Sequence, residues 1–357
     1  MIPTERASFE NRKSRLNNAA LHYRFVRNQN RGSRYGARPG CKASSLSLAF
    51  LMILSFVLLL PAGNASATST WTKTTNYPIR FDGGSCVAHG GYVFCVGGHV
   101  NSTYYAPLSS SGIGTWTKTT SYPTYVTEQS CAAFASYVYC VGGFNGTGFS
   151  RSTYYARISS SGIGKWVQTT SYPVTPLGPF SCVTNSGYLY CVGGSTAAAF
   201  YAPISGSGVG NWIQTSSYPF ALGSESCVAS SGNMYCVGGL TTLNQRNSSV
   251  YYAPVSSSGI GGWTKTKHYP TPIGEGSCAA FSATVYCVGG STNKNPYGID
   301  LVYYAPLKHS GVGAWRGTTS YPTTIAIESC VASAQYMYCI GGAHNGATNS
   351  TYYMGLP

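Results

Sequence analysis

Short runs of apolar and aromatic residues, separated by glycine, serine and asparagine, recur along the chain from residue 71 onward. In the first unit, residues 85–89 alternate, residues 92–96 are aromatic and β-branched, and residues 104–108 and 115–119 are similar. Runs of this length and composition, bounded by turn-forming residues, predict β-strands. We name the four predicted strands of each unit a, b, c and d in chain order.

The unit recurs with a period of 45 to 52 residues, marked by six tryptophans. These are Trp71, Trp116, Trp166, Trp212, Trp263 and Trp315. Four strands in about 45–50 residues is the period of a β-propeller blade. The repeats begin with a lone strand d and end with strands a, b and c, so joining the ends completes a sixth blade. The sequence predicts an all-β, six-bladed propeller with four-stranded antiparallel blades, closed by the N-terminal strand.

The units resemble the kelch repeat, which has a Gly-Gly doublet after its second strand, then a spaced tyrosine, then a tryptophan on its fourth strand. The first unit has Gly97-Gly98, Tyr104 or Tyr105, and Trp116. Equivalent sets are Gly142-Gly143, Tyr154 and Trp166; Gly193-Gly194, Tyr201 and Trp212; Gly238-Gly239, Tyr251 and Trp263; and Gly289-Gly290, Tyr303 and Trp315. The resemblance covers residues 71–357 and implies a kelch-type propeller. The regular place of the tryptophans predicts packing between blades.

Each unit carries two cysteines nine positions apart. If Gly90-Gly91 form a two-residue turn, Cys86 faces Cys95 in a non-hydrogen-bonded pair with Cα atoms about 4.5 Å apart. A disulfide spans that distance, whereas zinc sites and redox sites favour closer cysteine spacings. The predicted disulfides are Cys86–Cys95, Cys131–Cys140, Cys182–Cys191, Cys227–Cys236, Cys278–Cys287 and Cys330–Cys339.

Charge is concentrated at the N-terminus. The chain has a formal net charge of +14, but ten of its 22 basic residues lie in the first 42 positions. From residue 71 onward there are 12 basic and 6 acidic residues, and they are scattered. A nucleic-acid-binding protein would show a basic stripe on its folded part, so we exclude nucleic acid as a partner.

An apolar segment follows the basic one. Residues 46–60 are apolar apart from two serines, and Ala65-Ser66-Ala67 offers a cleavage site. This length is typical of a signal peptide and short for a membrane span. We predict a basic cytoplasmic-side segment (1–45), a cleaved signal peptide or uncleaved signal anchor (46–67), and an exported propeller (68–357), secreted or at the cell surface. Disulfides agree with export, and contact with a membrane is expected only through an uncleaved anchor.

Acidic residues recur just before strand a, at Asp82, Glu128, Glu225, Glu275 and Glu328. Two interpretations remain open. The carboxylates either ring the mouth of the central channel and bind cations or sugar hydroxyls, or accept backbone N–H bonds where the strand begins. His99 and His344 follow the doublets of the first and last blades. With Asp82 and Glu328 they suggest a speculative metal site, although chance placement explains them equally simply, and we expect no metal or cofactor.

The b–c loops vary from five to twelve residues, while the c–d turns keep a nearly constant length. Variable loops on a constant scaffold either carry binding specificity or are neutral insertions. Sequons for N-glycosylation lie in these loops at Asn101, Asn145, Asn247 and Asn349. A glycosidase needs two carboxylates in one pocket, but the acids here are spread one per unit.

We therefore expect a monomeric, non-catalytic, exported propeller. It would bind a surface glycan or protein, or serve as a component of the cell envelope. The alternative is a carbohydrate-active enzyme that uses the acidic rim.

Overall fold

The structure is a computed structural model that describes residues 69–356, and these form a six-bladed β-propeller. The predicted fold class is confirmed. Strand a of each blade contacts strand a of the next, and the last contacts the first, which closes the ring. The described residues contain no α-helix, and so none that could cross a membrane. The predicted N-terminal segments, 1–45 and 46–67, lie outside the described residues.

The strands follow the repeat. The chain enters the ring at β1 (Thr72–Lys73). Blade 1 contains β2 (Ser85–His89), β3 (Tyr92–Val96), β4 (Thr103–Ser109), β5 (Gly112–Ile113) and β6 (Thr117–Lys118). Blade 2 contains β7 (Ser130–Phe134), β8 (Tyr137–Val141), β9 (Thr153–Ser159), β10 (Gly162–Ile163) and β11 (Val167–Thr169). Blade 3 contains β12 (Phe180–Asn185), β13 (Tyr188–Gly193), β14 (Phe200–Ser205), β15 (Gly208–Val209) and β16 (Ile213–Gln214).

The remaining blades continue the pattern. Blade 4 and its adjoining loops contain β17 (Leu222–Gly223), β18 (Ser226–Ser230), β19 (Asn233–Val237), β20 (Leu240–Thr241), β21 (Val250–Ser256), β22 (Gly259–Ile260) and β23 (Thr264–Lys265). Blade 5 contains β24 (Ser277–Phe281), β25 (Thr284–Val288), β26 (Val302–Lys308), β27 (Gly311–Val312) and β28 (Arg316–Gly317). Blade 6 contains β29 (Ser329–Ser333), β30 (Tyr336–Ile340) and β31 (Thr351–Gly355). Strand β1 pairs with β31 and completes blade 6, as predicted.

The c–d connections differ from the prediction. The first five blades carry a two-residue strand in this connection, which pairs back onto strand c; in blade 1 this is β5 on β4. Gly112 begins β5 with a φ of 110°, and a Cβ there would overlap Thr74 Oγ1 of the preceding blade. Thr74 Oγ1 instead accepts a 2.9 Å hydrogen bond from Ile113 N. The connection is therefore a hairpin docked on the neighbouring blade, and strand d is shortened to two or three residues.

The six disulfides join strands a and b in the predicted register. In blade 1, Cys86 lies opposite Cys95 and His89 lies opposite Tyr92 across the two-residue turn. The Cα atoms of the six pairs are 4.0–4.1 Å apart. In blade 6 the turn consists of Ala334 and Gln335, with φ values of 47° and 68°, a region that non-glycine residues rarely adopt. The disulfide therefore fixes the register of the a–b hairpin in a blade whose turn residues are poorly suited to the turn.

A ring of side-chain bonds links the inner strands. Each first cysteine donates its backbone N–H to a serine hydroxyl that begins strand a of the neighbouring blade. The bonds run from Cys86 to Ser329 (2.9 Å), Cys131 to Ser85 (3.0 Å), Cys182 to Ser130 (2.8 Å), Cys227 to Ser181 (3.0 Å), Cys278 to Ser226 (2.9 Å) and Cys330 to Ser277 (2.8 Å). In a non-hydrogen-bonded pair this N–H points away from strand b, so the serine satisfies a donor that has no strand to pair with.

The hydrophobic core consists of six clusters, each shared by consecutive blades. The tryptophans belong to these junctions. Trp116 meets Tyr77 edge-on with ring centroids 4.8 Å apart, and its Nε1 donates to Thr75 O. The other five make the same edge contact: Trp71 on Tyr321, Trp166 on Tyr122, Trp212 on Tyr172, Trp263 on Tyr218 and Trp315 on Tyr269.

Replacing Ser329 by alanine tests the serine ring. The change leaves the Cys86 N–H without its acceptor at the junction of blades 6 and 1. Because an unsatisfied donor costs about 1–3 kcal/mol, we expect the free energy of unfolding in urea to fall by about 1 kcal/mol or more. Ser110→Ala, in an exposed turn, is the control and should change it by less than about 0.5 kcal/mol. Equal stabilities of the two variants would show that the ring contributes nothing.

Candidate functional site

The segments before strand a converge at one end of the central channel. Residues from all six blades line a cavity of about 130 Å³ there. Four of the five predicted acidic residues belong to this lining: Glu128, Glu225, Glu275 and Glu328. The fifth, Asp82, is not part of it.

The mouth of the channel is narrowed by peptide groups. We call the residues two positions before each ring serine the channel rim: Gly83, Glu128, Pro179, Ser224, Glu275 and Ile327. Each rim residue except Pro179 donates its N–H to the rim carbonyl of the preceding blade, over 2.6–3.1 Å. The five donors have φ between 53° and 61°. We call this ring of hydrogen bonds between rim residues the peptide girdle. Proline has no N–H, so the girdle is interrupted between Pro179 and Glu128.

The acids form two classes instead of one ring. Glu128 and Glu275 are rim residues and are half-buried. Glu225 and Glu328 lie one residue later, directly before the ring serine, and are buried at 6% exposure. A shift of one position along the chain thus accompanies the move of the carboxyl group from the half-buried rim to a buried place beside the glycine doublet of the preceding blade.

Glu225 and Glu328 occupy closely similar environments. Their carboxyl oxygens have no hydrogen-bond partner among residues 69–356. Burial raises the pKa of Glu225 to about 8, a rise that the nearby backbone amides of Glu225 and Ser181 oppose only in part. Burial likewise raises the pKa of Glu328 to about 8, against the amides of Glu328 and Ser277. These amides at the start of strand a are the groups that the backbone-acceptor interpretation requires, but burial outweighs their effect on the pKa of both carboxyl groups.

In blade 2, Gln129 occupies the position of Glu225 and Glu328, directly before the ring serine. Its amide shows that this position accommodates a neutral group that donates a hydrogen bond. Its Nε2 donates a 2.7 Å hydrogen bond to Val96 O of blade 1. The glycine that follows Val96, Gly97, leaves room for this side chain. In blade 3 a Cβ at Gly193 would overlap Glu225 Oε1. A neutral carboxyl group can donate a hydrogen bond as the amide does, and an ionised one cannot.

The two rim acids have different neighbours. Glu275 lies 3.5 Å from Arg246 Nη2 and accepts a hydrogen bond from Ser291 Oγ. Burial raises the pKa of Glu128, His99 opposes this rise, and the charge of Glu275 adds to it. Glu128 and Glu275 thus influence each other across the channel mouth, where blades 2 and 5 are opposite one another.

The histidines are engaged separately. His99 Nε2 lies 3.7 Å from Asp82 Oδ1, and His99 Nδ1 is 2.8 Å from the Tyr125 hydroxyl. His344 Nδ1 is 2.7 Å from Thr324 Oγ1. Residues 69–356 contain no group of three or more His, Cys, Asp or Glu residues arranged to hold a metal ion.

The sequon asparagines differ in their accessibility. Asn101 and Asn145 are exposed. Asn247 Oδ1 accepts a hydrogen bond from Ser249 N, and Asn349 Nδ2 donates one of 3.1 Å to Tyr77 O. A glycan on Asn349 would be attached to the nitrogen that makes this bond to the segment after β1. Glycosylation at all four sites remains a prediction.

Stability should fall as pH rises from about 4.5 to 8. Glu225 and Glu328 have folded pKa values of about 8 against a usual 4.5, so the folded state binds more protons than the unfolded state in that window. Tyr172 and Tyr218 beside Glu225, and Tyr269 and Tyr321 beside Glu328, stay neutral there. Each pKa unit corresponds to about 1.4 kcal/mol, so these shifts in two carboxyl groups set an upper limit of about 10 kcal/mol on the total loss.

The matched variant is Glu225→Gln with Glu328→Gln, which copies Gln129. Urea unfolding between pH 4.5 and 8.5 should show a flatter profile for this variant, with most of the gain at the alkaline end. An unchanged slope in the variant, or stability that increases with pH in the unmodified chain, would show that the two carboxyl groups are ionised.

Comparison with known proteins supports the fold. No family model matches the chain, and no curated protein matches it. Among solved structures, the one titled "Structure of YjhT" superimposes with a TM-score of 0.64 at 12% identity, covering 77% of this chain and 95% of that one. The chain is thus similar in fold to YjhT, and the likeness extends to the propeller architecture alone.

Proposed function

We propose that this chain is an exported kelch-type propeller that binds a glycan of the cell surface without chemically altering it. Six disulfides suit an oxidising, extracellular-type environment. The kelch assignment is supported by the doublet, tyrosine and tryptophan that recur in phase along the repeats. A protein ligand or a scaffold role in the envelope is the nearest variant of this proposal.

The observation that carries the proposal is the arrangement of the acidic residues at the channel mouth. The central cavity of about 130 Å³ is below the roughly 300–1,000 Å³ of ordinary small-molecule sites, and the rim acids Glu128 and Glu275 also line an adjoining cavity of about 510 Å³. Two of the four glutamates of the central cavity are turned into the blade junctions, so they are not placed to act on a ligand. The variable b–c loops and the grooves between blades offer more room, and they suit binding to an extended ligand.

A carbohydrate-active enzyme is the second candidate, and one observation favours it. Glu128 and Glu275 face the same cavity from opposite blades, and Glu275 is paired with Arg246 while burial raises the pKa of Glu128. Two carboxyl groups with differing environments are the usual arrangement for glycoside hydrolysis.

A glycan array with the full-length, disulfide-bonded protein separates the two candidates. We expect retention of surface-type glycans with no new reducing ends after prolonged incubation, because two of the four glutamates at the channel mouth are buried and Glu275 is paired with Arg246. Glu128→Gln should leave retention unchanged. Release of sugar products that Glu128→Gln abolishes would instead identify an enzyme, and absence of retention would reject glycan binding.

A further inference from the structure

One junction of the ring lacks a component that the other five have. At those five, the hairpin glycine of the next blade packs against a tyrosine of strand c, the second of the two adjacent aromatic residues there. The pairs are Tyr105 with Gly162, Tyr155 with Gly208, Tyr201 with Gly259, Tyr252 with Gly311, and Tyr353 with Gly112. Among the described residues blade 6 has no such hairpin, because β1 supplies its strand d. The equivalent tyrosine of blade 5, Tyr304, therefore has no hairpin over it.

A groove of about 800 Å³ lies at this place and includes Tyr304 in its lining. We call it the blade-5 groove. Its size is within the range of oligosaccharide and cofactor sites. It lies on the side of the a–b and c–d turns, away from the channel rim, because Thr284 after the a–b turn and the hairpin residues 310–313 both line it.

Blade 5 departs from the repeat at the positions that line this groove. Strand b begins with tyrosine in four other blades, at Tyr92, Tyr137, Tyr188 and Tyr336, and with Thr284 here. Each of those tyrosines lies 6.0–6.2 Å, ring to ring, from the strand c tyrosine that corresponds to Tyr304. Threonine at this position therefore leaves open a space that an aromatic ring occupies in those four blades; blade 4 has Asn233 here.

Three further departures add positive charge. Strand c ends in serine in the four preceding blades and in Lys308 here. The residue after the tryptophan is Thr, Val or Ile in the other blades and Arg316 here. Each tryptophan indole donates a hydrogen bond to a backbone carbonyl. The residue that carries this carbonyl is a threonine or serine at the other five junctions and Lys267 here.

The charges are unopposed. Lys267, Lys308 and Arg316 are exposed, and no acidic residue lines the groove. Arg316 lies directly opposite Tyr304 on the neighbouring strand, which places a guanidinium group beside an aromatic ring. Arginine and lysine in this setting bind carboxylate or sulfate groups, and the tyrosine offers an apolar surface beside its polar hydroxyl.

We propose that the blade-5 groove binds an anionic glycan, with uronate or sulfate groups held by Lys308, Arg316 and Lys267 and a sugar ring placed against Tyr304. The inference rests on the proposed glycan-binding function and assigns it a site and a ligand class. A nucleic acid fits less well, because binding of single strands uses several stacking aromatics along a basic track. This groove has one such tyrosine, and the other basic residues from residue 71 onward are scattered.

The test uses full-length, disulfide-bonded protein and calorimetric titration with an oligogalacturonate, a heparin-derived oligosaccharide and a neutral cello-oligosaccharide. We expect binding of one or both acidic probes, weakened by salt, and none of the neutral one. Lys308→Ser with Arg316→Thr restores the residues of the other blades and should weaken binding at least about tenfold. Thr284→Tyr should weaken it similarly without changing the charge, since tyrosine occupies this position in four other blades.

The matched control is Lys118→Thr with Lys165→Thr, which removes two exposed charges outside the groove and should change the dissociation constant less than about twofold. If the control and the groove variants lose affinity for the acidic oligosaccharides equally, the binding is nonspecific electrostatic attraction. That result would overturn the inference. Binding that survives Thr284→Tyr would place the site elsewhere. Competition by single-stranded DNA that Thr284→Tyr abolishes would reassign the groove to nucleic acid. Retention of neutral glycans alone would preserve the proposed function and reject this site.

Discussion

The bond between a serine hydroxyl and the cysteine N–H of the adjoining blade is the contact on which the ring depends. The inner strand of a propeller blade has one edge with no strand beside it, and unpaired N–H groups there are costly. The disulfide holds each first cysteine opposite its partner in a non-hydrogen-bonded pair, so that its N–H faces the preceding blade. The first cysteine of each repeat thereby has two roles. Its sulfur fixes the register of the a–b hairpin, and its backbone amide makes the hydrogen bond to the neighbouring blade.

The same segment determines what the acidic residues can do. The residue before the ring serine inserts beside the glycine doublet of the preceding blade, as Gln129 does beside Gly97. The residue before that one joins the peptide girdle of the channel. A glutamate in the first place is buried and its pKa is raised by burial, whereas in the second it faces the cavity. The propeller thus uses one type of side chain both in the packing between blades and in the lining of the cavities at the channel mouth.

Sequence reasoning was strongest where contacts are local. Counting outward from Gly90-Gly91 predicted the Cys86–Cys95 pair because a hairpin register depends only on its turn. The bonds between blades were missed because they join residues more than forty positions apart. A signal was nonetheless present, since serine precedes the first cysteine in every repeat. The acids were grouped together, although Glu128 lies three residues before its cysteine and Glu225 two.

Closing the ring with the N-terminal strand makes one junction unlike the rest. In a repeat protein the constant positions satisfy packing and hydrogen bonding at every junction, so residues that depart from the repeat are free of that role or serve another. Thr284, Lys308 and Arg316 depart together and line the place where residues 69–356 contain no hairpin over strand c of blade 5. Independent sequence drift would scatter such changes over the blades. A surface that is merely uncovered would not require three cationic side chains, Lys267, Lys308 and Arg316, without a neighbouring acidic residue. Their coincidence at the one asymmetric junction is therefore better explained by a ligand than by packing.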